Sequence, residues 1–172
     1  MRYYQTSGPT GGRRVGFGPG ALSPFIKWML IINVGVWILE YVFPTMIFNL
    51  GLVPARFFSE FPNLLYTVFT YMFLHSTAMF GHILFNMFAL WMFGTEIEYT
   101  WGSKTFARFY FYCGLAGAIL TLIVYPSQMA PMIGASGAIY GILIAYWLMF
   151  PNRKLYIYFL VSSSHCRPRT PN

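Results

Sequence analysis

Gly134-Ala135-Ser136-Gly137-Ala138-Ile139-Tyr140-Gly141 sets a serine among small residues at the head of an apolar run that continues to Phe150. A hydroxyl in that setting is either packing or a nucleophile held inside a membrane. Earlier in the chain, Gly81-His82-Ile83-Leu84-Phe85-Asn86-Met87 carries a histidine and an asparagine four residues apart in another apolar stretch, hence on one helical face. Each signal is weak alone, and their combination in this order is not.

Working outward, the chain is 57% hydrophobic, 21% aromatic and only 9% charged, where soluble proteins carry about 25% charge. That is a membrane composition. Spans need about 20 predominantly apolar residues, and four stretches are candidates: Pro24 to Phe43, Phe80 to Phe93, Phe106 to Tyr125 and Ser136 to Phe150. The second and fourth are short, as expected of helices that begin at a cavity within the bilayer. The apolar run Leu155 to Val161 is too short to cross. The expected fold is an all-α polytopic membrane protein with four complete transmembrane helices.

The basic residues set the orientation. Arg2, Arg13, Arg14 and Lys27 precede or open the first span, Lys104 and Arg108 lie between the second and third, and Arg153 and Lys154 follow the fourth. The loop after the first span holds only Arg56, and 127–131 holds none. Positive charge stays inside, so the N-terminus, the 94–105 loop and the 151–154 loop are expected in the cytoplasm. The net charge of +7 then reports topology and contact with anionic lipid. Nucleic acid is not an expected partner, because the chain has no soluble basic face. Residues 1–22, with Pro9, Pro19 and many glycines, read as a flexible cytoplasmic arm. Cys113 and Cys166 imply no disulfide framework, and the first apolar run is too long for a cleaved signal peptide.

Between the first two spans, Pro44 to Met79 is too long for a hairpin connection and too apolar for a solvated one. Short amphipathic helices half-sunk in the outer leaflet are expected there, with an extra span from Leu64 to Phe80 as the other possibility. Gly137 with Gly141, and Gly114 with Ala118, form small-xxx-small pairs that let helices approach closely in lipid.

Peptide hydrolysis needs a nucleophile, a base and donors for an oxyanion. Ser136 can supply the first, and its own N–H with the side chains of His82 and Asn86 can supply the last. Uncharged donors suit a site of low dielectric, where an ion is costly. The plainer readings are a serine bonded back to its own helix and an interhelical hydrogen bond from His82 or Asn86.

Together these residues resemble the rhomboid family of intramembrane serine proteases. The matching pieces are Met72-Phe73-Leu74-His75, then His82-Ile83-Leu84-Phe85-Asn86 for H-x-x-x-N, Glu98-Tyr99-Thr100-Trp101-Gly102 for E-x-x-x-G, and Gly134-Ala135-Ser136-Gly137 for G-x-S-G. The resemblance covers about Pro24 to Leu160. It implies a rhomboid-like helical bundle with an amphipathic outer-leaflet loop. It further implies Ser136 as nucleophile, and His82, Asn86 and the Ser136 amide as oxyanion donors. Gly134 would permit close backbone approach, and Tyr140 would be the ring on which the family's catalytic histidine stacks. The implied substrates are single-span membrane proteins, with no cofactor and no metal. The implied location is multi-pass in a membrane such as the bacterial inner membrane, with the N-terminus cytoplasmic.

The chain departs from the family pattern in two places. Tyr66-Thr67 stand where the family often has Trp-Arg. The family's general base is a histidine on a sixth span, and no such span is readable here. After Tyr156-Ile157-Tyr158-Phe159-Leu160-Val161 the sequence turns to Ser-Ser-Ser-His-Cys-Arg-Pro-Arg-Thr-Pro-Asn. The expectation is a rhomboid-like domain over 23–161 with the sixth span missing and a non-family polar tail over 162–172, produced by truncation or a lost frame near residue 161. His165 in that tail would lie about 24 Å from Ser136 across a helix, which excludes it as the base. The general base is thus unknown, and the truncated chain is expected to be inactive. The alternative is a non-catalytic rhomboid-like protein that binds transmembrane helices, against which stands the intact serine motif.

Overall fold

The computed structural model describes residues 21–151. The arm before residue 21, Arg153 and Lys154, the Leu155 to Val161 run, and the 162–172 tail with His165 and Cys166 lie outside the described residues. Every regular element within them is helical. The first is α1, Pro24–Val42. Two short helices follow, α2 at Met46–Leu50 and α3 at Pro54–Ser59. Next, α4 at Thr67–Thr70 runs into a 3-10 turn at Tyr71–Phe73. The helix α5, Phe80–Ala89, continues through a π-helical turn, Leu90–Gly94, into α6, Thr95–Trp101. Last come α7, Ser103–Val124, and α8, Ser136–Met149. Two of these, α1 and α7, are long and apolar enough to cross a membrane by themselves, and α8 is a shorter apolar helix.

The stretch 94–105, expected as a loop, is instead helical up to Trp101, and Lys104 already belongs to α7. The only break is Gly102, whose φ of +79° is a left-handed conformation that glycine alone adopts freely.

One carboxylate ties this end of the bundle together. A helix leaves its first N–H groups without partners, and α1 has no side-chain cap of its own. Glu98 of α6 supplies it: the N–H groups of Phe25 and Ile26 donate to its carboxylate at 2.8 and 3.1 Å. The Ser23 hydroxyl donates to the same carboxylate, as does Ser103 at the start of α7 at 2.5 Å. Negative charge at a helix N-terminus is also favoured by the helix dipole.

At the other end, the segment 44–79 forms short pieces and no further spanning helix, so the extra span from Leu64 to Phe80 is not formed. Several of its polar groups are satisfied from within the segment. Arg56 pairs with Glu60 at 3.0 Å and donates to the Phe48 carbonyl. Tyr66 donates to the Asn49 carbonyl at 2.9 Å and Thr70 to that of Leu50 at 2.6 Å. Leu52 and Met132 exchange two backbone hydrogen bonds, 3.1 and 2.7 Å, in an isolated antiparallel bridge. That bridge fastens the segment to the strap leading into α8. Leu52, Val53, Phe57, Tyr71 and Met72 are buried against the bundle, while Phe48, Phe58, Phe61 and Phe69 remain outside.

Where α7 crosses α8 the contact is glycine on glycine. A Cβ at Gly117 would lie 3.4 Å from the Cα of Gly137, and one at Gly141 would collide with the Cys113 side chain. Gly137 and Gly141 therefore face α7 as a small-residue pair. Gly114 serves a different neighbour, the Met72 side chain of the outer segment.

Candidate active site

The glycine crossing delivers the N-terminus of α8 to the middle of the molecule. Ser136 is the first residue of that helix, so its N–H is one of the unpaired donors at the positive end of the helix dipole. Its hydroxyl has no hydrogen-bond partner among the described residues. Two residues earlier, Gly134 has φ +111°. Its N–H donates to the Tyr71 carbonyl at 2.9 Å, which holds the strap against the 3-10 turn.

Gly134 lies against the two polar side chains of α5. A Cβ built on it would fall 2.7 Å from His82 Nε2 and 3.7 Å from Asn86 Nδ2. Any side chain at position 134 would thus displace the imidazole, quite apart from the backbone strain. The backbone just ahead of Ser136 and the polar face of α5 therefore meet, as the four-residue spacing of His82 and Asn86 anticipates. Asn86 is buried and donates through Nδ2 to the His82 carbonyl at 3.0 Å. His82 Nδ1 accepts the Ser76 backbone N–H at 3.4 Å. A neutral imidazole with Nδ1 accepting carries its proton on Nε2. That N–H is on the side facing Gly134.

Tyr140, one turn into α8, is well exposed, with its ring open to whatever packs on that face. His75, the last residue of the Met72-Phe73-Leu74-His75 match, and Tyr71, which the sequence reading passes over, both wall the site. The Tyr71 hydroxyl donates to the Gly114 carbonyl at 2.7 Å. His75 is wholly buried, its ring centroid 5.3 Å from that of His82, and neither of its ring nitrogens has a hydrogen-bond partner among the described residues.

Burial pushes the His75 imidazole down to about 4, with neighbouring His82 acting in the same direction. A histidine held neutral in the fold stabilises it fully above the ordinary value of 6.5, and that contribution is lost as pH falls from there towards 4. A drop of this size corresponds to on the order of 3 kcal/mol. Thermal unfolding in detergent at pH 7 and pH 4.5 checks it: the native chain should lose more stability than His75→Phe, and equal losses would rule out His75 as the cause.

Comparison with known proteins points to one family. The Rhomboid domain family model matches residues 62–166. The chain is similar to Rhomboid protein 1, mitochondrial, of Saccharomyces cerevisiae, with 34% identity over 84 residues, 46% of this chain and 24% of the relative. Rhomboid protease GluP of Bacillus subtilis is 39% identical over 78 residues, 45% of this chain and 15% of the relative. Rhomboid-like protein 11, chloroplastic, of Arabidopsis thaliana is 28% identical over 117 residues, 68% of this chain and 39% of the relative. The chain thus spans less than half the length of each of these relatives, whose names place them in mitochondria and chloroplasts or whose source is bacterial.

Proposed function

The chain belongs to the rhomboid family, whose members are integral membrane proteins, and we propose that it carries the nucleophile and oxyanion site of an intramembrane serine endopeptidase. The observation that carries this reading is the seating of Gly134 on His82 Nε2 and Asn86, which brings the head of the serine helix onto two neutral donors. In this reading α1, the continuous helix from Phe80 to Trp101, α7 and α8 cross the bilayer, and 44–79 rests in the outer leaflet. The substrate is a single-span membrane protein whose backbone unwinds at helix-breaking residues and lies along the strap at 131–135.

Ser136 Oγ attacks the scissile carbonyl carbon as its proton passes to a base. The carbonyl oxygen becomes an oxyanion that receives the Ser136 N–H, the His82 Nε2–H and the second Asn86 Nδ2–H. Collapse of the intermediate expels the amine, which takes up the proton, and leaves an acyl enzyme that water hydrolyses. Donors already fixed in place cost no reorganisation as the charge develops. The base itself is assigned to none of the described residues.

A second reading has its own support. With no base bonded to the Ser136 hydroxyl among the described residues, the same site suits a non-catalytic protein that binds transmembrane helices. Reconstitution in liposomes with a single-span substrate, of a form of the protein that supplies the general base, separates the two. Cleavage that disappears in Ser136→Ala supports the protease, whereas stable capture of the substrate helix without cleavage supports the binding protein.

A further inference from the structure

At the C-terminal end of α1 a buried carboxylate lies in an apolar helix. Glu40 is almost wholly inaccessible, and a charged or ionisable group at such a place is costly unless it does something. Its partner is the backbone N–H of His75, at 3.0 and 3.3 Å from the two carboxylate oxygens. Two neighbours on the same helix hold the next two residues. Trp37 Nε1–H donates to the Ser76 carbonyl at 3.3 Å, and Tyr41 Oη–H donates to the Thr77 carbonyl at 3.1 Å.

The consequence lies in what sits between these clamped groups. The Ser76 N–H is the donor to His82 Nδ1. Three successive residues are thus fixed by three side chains of α1, and the Ser76 N–H between two of these clamps points at the imidazole of the site. We propose that Glu40 is a positioning residue: with Trp37 and Tyr41 it holds the 75–77 backbone so that the Ser76 N–H occupies His82 Nδ1 and keeps the ring proton on Nε2, facing Gly134. The inference rests on reading His82 as an oxyanion donor. An imidazole turned over, or protonated on Nδ1, would present an acceptor to a negative oxygen and repel it.

The buried His75 ring adds to the constraint. Its ring centroid lies 5.3 Å from that of His82, which limits the room in which the His82 ring can turn over. Glu40 and Tyr41 of α1, His82 of α5 and His75 of the segment itself are the titratable groups that face it.

The test is the tautomer of His82, read by 15N chemical shifts in the histidine-labelled 172-residue chain in detergent, with His82→Gln assigning the signal. The native chain should give a single Nε2–H tautomer. Glu40→Gln, which keeps an acceptor for the His75 N–H, should preserve it, and Glu40→Ala should give a mixture of tautomers. An unmixed Nε2–H signal in Glu40→Ala would overturn the proposal. If that variant does not fold, Trp37→Phe with Tyr41→Phe carries the same test, since it frees the segment while leaving the carboxylate in place. Modification of Ser136 by a fluorophosphonate should also slow at least tenfold in Glu40→Ala at unchanged probe affinity. A tautomer shift without any Ser136 reactivity in the native chain would leave the positioning role standing and remove the protease reading. Ser136 reactivity with an unmoved tautomer would do the reverse.

Discussion

In a form of the protein that supplies the general base, Asn86→Ala is expected to slow Ser136-dependent cleavage by up to about 10²–10³-fold, the range for losing one oxyanion donor. The residue is buried, and one of its two N–H groups is held by the His82 carbonyl at 3.0 Å. The other is therefore aimed rather than free to swing, on the side of Gly134. Because the oxyanion exists only in the intermediate and its flanking transition states, the loss should fall on kcat with KM little changed. His82 and the Ser136 amide remain in the variant and set the residual rate. Steady-state kinetics in liposomes decides it: a native kcat in Asn86→Ala would remove Asn86 from the chemistry.

The largest effect on stability is expected at Glu98→Ala. That change leaves the N–H groups of Phe25 and Ile26 and the hydroxyls of Ser23 and Ser103 without the acceptor they share. Hydrogen bonds to a charged group contribute about 1.5–3 kcal/mol each, and buried donors left unpaired are costly. Allowing for water reaching the opened end of α1, the loss should be roughly 2–5 kcal/mol. Glu98→Gln keeps one acceptor and should lose less. Denaturation in mixed micelles measures both, and equal stability of all three chains would mean that the carboxylate is not what joins α1, α6 and α7.

The helices were legible because apolar runs of the right length leave little choice in lipid. The starts at Pro24, Phe80 and Ser136 agree with the structure, as does the Gly137 and Gly141 face. The 94–105 stretch was not, since its charged residues read as a loop while Glu98 is in fact buried as a cap and Lys104 lies on the surface of α7. The meeting of Gly134 with His82 and Asn86 follows from their spacing and from the small residues that let α8 come close. Glu40 escaped because it sits near the end of its helix rather than at its centre, where an acid is the usual flag of function. Tyr71 escaped for another reason: what it gives to the strap is a backbone carbonyl, which any residue could supply. The likeness of Tyr66 to an anchor was equally hidden, since its hydroxyl reaches Asn49 only once the outer segment has folded back on itself.

Whether Ser136 is a nucleophile served by the His82 and Asn86 donors is read from fluorophosphonate modification followed by mass spectrometry. With no base bonded to its hydroxyl among the described residues, Ser136 should react slowly, but ahead of every other serine. The rate should fall further in His82→Ala and in Asn86→Ala, because the phosphoryl oxygen takes the place of the oxyanion. Modification spread over other serines, or a Ser136 rate indifferent to both donors, would contradict the account.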